Sequence, residues 1–159
     1  MPLPLAQYLF TVRELSEVKD CLDKGLLRKV PPSREKSLNS IRMAEEWLKE
    51  AERSISAGAL NSSLLCSYLS MFHSARAILF RDGYREKSHY CIARYLEEAY
   101  AKKGLLEMKW IDLLDHYRDL RHASQYSTES FVTEEEAKSA LDTAKELLER
   151  IKGLLETIG

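Results

Sequence analysis

The chain has 159 residues, of which 45% are hydrophobic and 31% are charged, so it is long enough to bury the core of one domain. Its 24 basic and 25 acidic residues give a formal net charge of -1, which excludes a basic field over the whole protein. Any contact with a nucleic acid would therefore come from a local patch.

The N-terminal third of the chain predicts two helices. Apolar residues recur at three- and four-residue steps almost throughout the chain, and no segment shows convincing strand alternation. The first predicted helix covers about residues 5–24 and ends at Gly25. Pro31 and Pro32 cannot continue a helix interior, whereas Ser33 can cap a second helix over about residues 34–57.

The third predicted helix, about residues 62–82, is apolar over most of its circumference, which predicts that it is the central helix. Gly83 ends it, and a fourth helix begins after the candidate cap Ser88, runs to about residue 103 and ends at Gly104. A surplus apolar face on the third helix would also be typical of an interface, and so favours a homodimer.

A fifth helix carries Trp110 on its inner face and frays near Ser127. Thr133 with Glu136 fits the capping box of a last helix. Trp110 and Trp47 are both predicted to be mostly buried. The elements together predict an all-α protein: a single domain over residues 1–159, built as an antiparallel up-and-down bundle of four to five core helices (about 33–158) plus the N-terminal helix.

The cysteines and the apolar runs indicate the compartment. Cys21, Cys66 and Cys91 are odd in number, far apart and without CxxC spacing, which argues against a disulfide framework. No apolar run approaches the about 20 residues that a membrane span needs. The start, MPLPLAQYLF, lacks the basic region of a signal peptide. We therefore expect a soluble cytoplasmic protein with no membrane contact.

The stretch DHYRDLRHASQYS, residues 115–127, is the main candidate site. On a helix, Arg118, Arg121, His122 and Gln125 share one face by the three/four rule. We call this set the α5 face, because it lies on the fifth predicted helix (α5, which contains residues 110–126). Tyr126 lies one turn beyond His122, and Asp115 can pair with Arg118. Two guanidiniums and a histidine suit a phosphodiester. The alternative is a solvated helix face with internal charge pairs.

A second candidate lies in the third helix, where His73 and Arg76 share a face with Ser70. The rest of this helix is mostly apolar. Either they are a satisfied core histidine and an arginine that reaches solvent, or they line an interface or brace the fifth-helix cluster. The histidines have no metal-ligand spacing, and no glycine-rich phosphate loop is present. We predict no metal site and no cofactor.

Three segments carry a resemblance to a known family: CLDKGLLRKVPPSREKSLNSIRMAEEWLKEA, SYLSMFHSARAILFRDGYREKSHYCIARYL and YRDLRHASQYS. Together they resemble the HEPN domain, and in particular the small single-domain HEPN proteins. The resemblance runs from about residue 21 to the C-terminus and is most specific over residues 68–96. It implies a helical bundle that commonly dimerises, that is often encoded beside a minimal nucleotidyltransferase as a toxin-antitoxin pair, and that in many members is a metal-independent ribonuclease.

The site motif departs from the usual family signature, in which four to six residues separate an arginine from a histidine. Here Arg118 and His122 have three residues between them, and Arg121 is adjacent to His122. A subfamily ending, Arg-x-x-Ala-Asp-Tyr, fits better, with Arg121 and Tyr126 at its ends. Ser124 and Gln125 replace its Ala and Asp.

Three functions remain open on the sequence. The first is a dimeric module that binds RNA, a nucleotide or a nucleotidyltransferase partner, which the broken signature favours. In that case the resemblance implies Tyr126 as a target of nucleotidylation. The second is a ribonuclease, in which Arg118 and Arg121 stabilise the phosphorane and His122 is the acid or base. The third is a purely structural bundle.

Overall fold

The computed structural model describes residues 17–129 and 131–159, and these form the predicted all-α antiparallel bundle. Residues 17–23 are helical and are called α1; residues 5–16 of the predicted first helix lie outside the described residues. The further elements are, in chain order, β1 (Leu27–Lys29), α2 (Arg34–Ser56), α3 (Leu60–Asp82), β2 (Tyr84–Glu86), α4 (His89–Leu96), a π-helical turn (Glu97–Ala101), α5 (Met108–Tyr126) and α6 (Glu134–Ile158).

Capping residues set several helix ends where the sequence predicts them. The Ser33 hydroxyl accepts a hydrogen bond of 3.1 Å from the backbone N–H of Lys36 and so begins α2. Gly83 ends α3 with φ at 89°, and a Cβ at this position would lie 2.8 Å from the carbonyl oxygen of Val30. Thr133 and Glu136 form both hydrogen bonds of the capping box that begins α6.

Helix α3 is the central helix, as predicted. It packs against α2, α4, α5 and α6, and these neighbours bury most of its apolar arc, including Leu64, Met71, Ala75 and Ile78. One stripe of the helix is only half-buried, and it consists of Leu65, Leu69, His73, Arg76 and Phe80. Packing within one chain therefore accounts for most of the apolar arc of α3 but leaves this stripe partly open. The homodimer stays a prediction.

A seam of serines joins α2 to α3. Ser37 and Ser40 of α2 donate hydrogen bonds to the carbonyls of Ala77 and His73 on α3, at 2.8 and 2.7 Å. In the reverse direction, Ser70 and Ser63 of α3 donate to the carbonyls of Ala44 and Ala51 on α2, at 2.8 and 2.9 Å. Small side chains let the two backbones approach, and each buried hydroxyl is satisfied by the facing helix.

A short sheet and a disulfide tie α1 to the start of α4, and the sequence analysis predicted neither. β1 and β2 pair antiparallel, with Leu27 opposite Glu86. Cys21 lies six residues before Leu27, and Cys91 lies five residues after Glu86, so the register brings the two together. Their Cα atoms are 6.0 Å apart and they form a disulfide, whereas Cys66 is free and buried. The expectation against a disulfide was wrong, because spacing along the chain does not report distance across a tertiary sheet.

The predicted fourth helix is divided. α4 ends at Leu96, and the chain continues as a π-helical turn to Ala101. The hydroxyls of Tyr95 and Tyr100 both donate to the same carboxylate oxygen of Asp82, at 2.7 and 2.6 Å. Tyr95 lies in the last turn of α4 and Tyr100 in the π-helical turn, so one acceptor serves residues on both sides of the junction. The Asp82 carboxylate thereby anchors the turn to the end of α3.

The two tryptophans differ in burial. Trp110 is buried, with 4% of its surface exposed, as predicted. Trp47 is only half-buried, because it packs at the edge of a small cluster of Ala51, Cys66 and Leu141. Within the described parts of the chain, no helix is both long enough and apolar enough to cross a membrane.

Candidate functional site

The C-terminal half of α5 presents the predicted site residues at different depths. Tyr117 and Leu114 point into the core and fix the orientation of the helix. Arg118 and Arg121 are half-buried, whereas His122 and Gln125 are exposed. The α5 face therefore runs from the protein interior at its arginines to open solvent at its C-terminal end.

Arg118 belongs to a network with α4. Its Nη1 lies 2.7 Å from Oδ1 of Asp115, which confirms the predicted pairing. The other oxygen of Asp115 binds Arg94 of α4. The guanidiniums of Arg94 and Arg118 lie 4.9 and 5.3 Å from the centroid of the Tyr90 ring. One carboxylate and one aromatic ring thus hold two arginines in place.

Arg121 is held differently from its neighbours. Its guanidinium lies 4.9 Å from the centroid of the Tyr68 ring on α3. It forms no ion pair with a carboxylate in residues 17–129 or 131–159, and its Nε is buried without a hydrogen-bond partner there. Arg121 is therefore positioned by an aromatic ring, and its charge remains available to an anion.

His89, the first residue of α4, contacts the residues that hold these arginines. We call the set of Tyr68, His89, Tyr90, Arg94, Asp115, Arg118 and Arg121 the α5 cluster. The His89 ring stacks on Phe72 at 4.1 Å between centroids, and its Nδ1 lies 2.8 Å from the Tyr68 hydroxyl. Burial lowers the pKa of His89 to about 4, and the positive charges of Arg121 and Arg118 act in the same direction. Burial likewise raises the pKa of Tyr68 to about 12. At neutral pH the pair is a neutral imidazole and a neutral phenol.

The exposed end of the α5 face carries the remaining candidates. The rings of His122 and Tyr126 are 4.8 Å apart between centroids. Tyr126 is 71% exposed, so its hydroxyl is open to solvent or to a partner. The Ser124 hydroxyl donates to the carbonyl of Arg121 at 3.0 Å and so turns back onto the helix. Gln125 is exposed beside them.

His73 and Arg76 lie in a separate groove between α2 and α3, with a volume of about 280 Å³. The Arg76 guanidinium lies 2.9 Å from the Glu86 carboxylate of β2 and 4.9 Å from the Phe80 ring centroid. Burial, and then the charge of Arg76, lower the pKa of His73 to about 4. The Phe72 ring links these residues to the site on α5, because it contacts His73, Arg76 and His89.

Sequence reasoning missed four members of the cluster: Tyr68, His89, Tyr90 and Arg94. They lie on α3 and α4, at least 21 residues before Asp115, so helical periodicity on α5 does not point to them. The one signal available was the family-like segment containing KSHYCIAR, which includes His89 to Arg94. No group of three or more metal-ligating side chains occurs in the part of the chain that the structure describes.

Fold and site define an all-α bundle whose fifth helix carries an arginine- and histidine-bearing face. The HEPN domain family matches residues 38–154, which is most of the chain, and the chain belongs to this family. It is 29% identical to a Methanocaldococcus jannaschii protein named "Putative toxin MJ0605", over 85% of this chain and 98% of that protein. It is 32% identical to "UPF0332 protein PH1297" of Pyrococcus horikoshii, over 49% of this chain and 55% of that protein.

Proposed function

We propose that this chain is a toxin-like HEPN module that binds phosphate groups of RNA or of a nucleotide on its α5 face, within a toxin-antitoxin-like system. The observation that carries the proposal is Arg121, a half-buried guanidinium held on Tyr68 without a carboxylate partner among the described residues. A guanidinium offers paired N–H donors that match phosphate oxygens. The M. jannaschii relative named "Putative toxin MJ0605", aligned over nearly its full length, supports the toxin-like part of the proposal.

Arg118 would provide the second contact. Asp115 is shared between Arg118 and Arg94, so one carboxylate serves two guanidiniums. The other carboxylate near Arg118 belongs to Asp119, which is 3.6 Å away and whose side chain is 77% exposed, so solvent screens it strongly. Arg118 therefore keeps hydrogen-bonding capacity for a phosphate that approaches Arg121.

The proposal includes a homodimer and a minimal nucleotidyltransferase partner, both of which are what the family resemblance implies. The 71% exposure of Tyr126 supports the partner role, since its hydroxyl is accessible to a second protein. The partner would transfer a nucleotidyl group from a nucleoside triphosphate to the Tyr126 oxygen, which loses its proton as pyrophosphate leaves. Light scattering on the purified chain tests the dimer, and mass spectrometry after incubation with the partner and triphosphate tests the modification.

A metal-independent ribonuclease is the second candidate. The observation that favours it is that His122 is exposed on the same helix face as two arginines. His122 would take the proton of a ribose 2′-OH, while Arg118 and Arg121 stabilise the charge that develops on phosphorus. Cleavage of mixed RNA in the presence of a chelator, lost in Arg121→Ala, would establish this activity over simple binding.

The binding test uses a fluorescent uridine oligonucleotide and AMP, titrated against wild type and an Arg118→Ala/Arg121→Ala double variant. We expect at least a tenfold loss of affinity, because each charge-assisted hydrogen bond contributes about 1.5–3 kcal/mol. The matched control is Arg42→Ala/Arg53→Ala, which removes two exposed arginines of α2. Equal affinities for wild type and the α5 variant would reduce the face to a solvated surface of a structural bundle.

A further inference from the structure

His89 lies close to Arg118 and Arg121, the two residues proposed to contact phosphate. The Tyr68 ring carries the Arg121 guanidinium at 4.9 Å, and the Tyr68 hydroxyl is hydrogen-bonded to Nδ1 of His89 at 2.8 Å. Arg118 and His89 line the same small cavity, together with Phe72 and Leu114. His89 is thus coupled to both arginines of the α5 face, although it lies on a different helix.

The surroundings of His89 explain why a bound anion would change its protonation. Tyr68 of α3 is hydrogen-bonded to it, and the charges of Arg118 and Arg121 from α5 and of Arg76 and His73 from α3 act on its pKa. The carboxylates near these cations are each paired: Asp115 with Arg94 and Arg118, Asp119 with Arg118 at 3.6 Å, and Glu86 with Arg76 at 2.9 Å. Positive charge therefore outweighs negative charge around the imidazole, and burial adds to the penalty for its protonated form. A phosphate at Arg121 and Arg118 would offset both effects.

Tyr68 can serve both protonation states of His89. While the imidazole is neutral, the Tyr68 hydroxyl can donate to Nδ1; when the imidazole gains a proton, Nδ1–H can donate to the hydroxyl oxygen. Burial raises the pKa of Tyr68 to about 12, so the phenol keeps its own proton in either case. The Tyr68–His89 hydrogen bond is therefore compatible with protonation without rearrangement of the ring.

We propose that His89 is a proton-accepting member of the phosphate site formed by Arg118 and Arg121, so that a phosphodiester binds to this site together with one proton on the His89 imidazole. This inference rests on the proposed phosphate-binding function and assigns to it a residue on α4. The proton comes from solvent and forms an N–H bond on the imidazole, and no bond between heavier atoms forms or breaks. His122 remains an exposed residue at the open end of the α5 face.

The test follows the four histidines individually by NMR. The Cε1–H signals of His73, His89, His116 and His122 are titrated from pH 8 to pH 4, with and without a 2′-fluoro uridine tetranucleotide that lacks terminal phosphates. This probe cannot be cleaved through a 2′-OH, and its phosphodiesters keep their charge over the range. His89→Gln assigns the His89 signal, and circular dichroism checks that this variant folds.

We expect the His89 titration midpoint to rise by at least one pH unit when the oligonucleotide is bound, which corresponds to at least tenfold tighter binding by the protonated form. In Arg118→Ala/Arg121→Ala, the oligonucleotide should no longer move this midpoint. Binding by wild type with an unmoved His89 midpoint would overturn the inference and leave the proposed function standing. No binding by wild type would overturn both.

Discussion

The Arg121 guanidinium lies over the Tyr68 ring, 4.9 Å from its centroid, and this ring connects α5 to α3 at the site. A cation over an aromatic face gains about 0.5–2 kcal/mol and is held in one orientation. We expect Tyr68→Leu to weaken oligonucleotide binding by about 2- to 30-fold, because Arg121 loses the aromatic ring that holds it. Tyr68→Phe, which keeps the ring, is the matched control and should bind as wild type does at pH 8. Equal losses in both variants would contradict the role of the ring.

The two half-buried histidines predict acid destabilisation. The pKa values of His73 and His89 are lowered to about 4, whereas a histidine in the unfolded chain has a pKa of about 6.5. The unfolded state therefore binds more protons between these values, and the stabilisation is present above pH about 6.5 and is lost as the pH falls towards 4. Both side chains are partly exposed, so solvent reduces the effect. We expect each histidine to lower the free energy of unfolding by about 1 kcal/mol between pH 7 and pH 5.

Urea unfolding of wild type, His89→Gln and His116→Gln at the two pH values measures this loss. His116 is an exposed histidine on α5, and its variant controls for the removal of a surface histidine. His89→Gln should show a smaller difference between pH 7 and pH 5. The same difference in all three proteins would mean that His89 does not differ in protonation between the folded and unfolded states.

The disulfide predicts sensitivity to reduction. The Cys21–Cys91 bond closes a loop across a sequence separation of 70 residues. Removing such a cross-link typically lowers the free energy of unfolding by about 2–4 kcal/mol. We expect a reductant to lower the melting temperature of wild type by roughly 5–15 °C. The double variant Cys21→Ser/Cys91→Ser should start from the lower value and be unaffected by reductant. A wild-type melt that reductant does not change would rule out the bond in solution.

Asp82 predicts a local loss of stability around the π-helical turn. Asp82→Ala leaves the hydroxyls of Tyr95 and Tyr100 without their acceptor, and each unsatisfied buried group costs about 1–3 kcal/mol. We expect Asp82→Ala to lower the free energy of unfolding, measured with urea, by roughly 2–4 kcal/mol. Tyr95→Phe should be less costly in the Asp82→Ala background than in wild type, and additive losses would show that the two groups do not interact.

The bundle was predictable from the sequence because its long helices carry their own signals. Ser33, Gly83 and the Thr133–Glu136 pair set helix ends locally, and three/four spacing put Arg118 and Arg121 on one face. The three-residue strands β1 and β2 are too short to show alternation, and their pairing alone brings the two cysteines together. His89 could not be assigned to the site, because its contact with the α5 cluster exists only once α3 and α4 pack.

The salt dependence of oligonucleotide binding tests the central claim most directly, because it counts phosphate contacts. For a single strand, log K falls with log salt by about 0.7 for each phosphate neutralised. If Arg118 and Arg121 each contact a phosphate, the slope for Arg118→Ala/Arg121→Ala should be shallower than that of wild type by about 1.4. Arg42→Ala/Arg53→Ala should keep the wild-type slope. Identical slopes for wild type and the α5 variant would contradict phosphate binding on the α5 face.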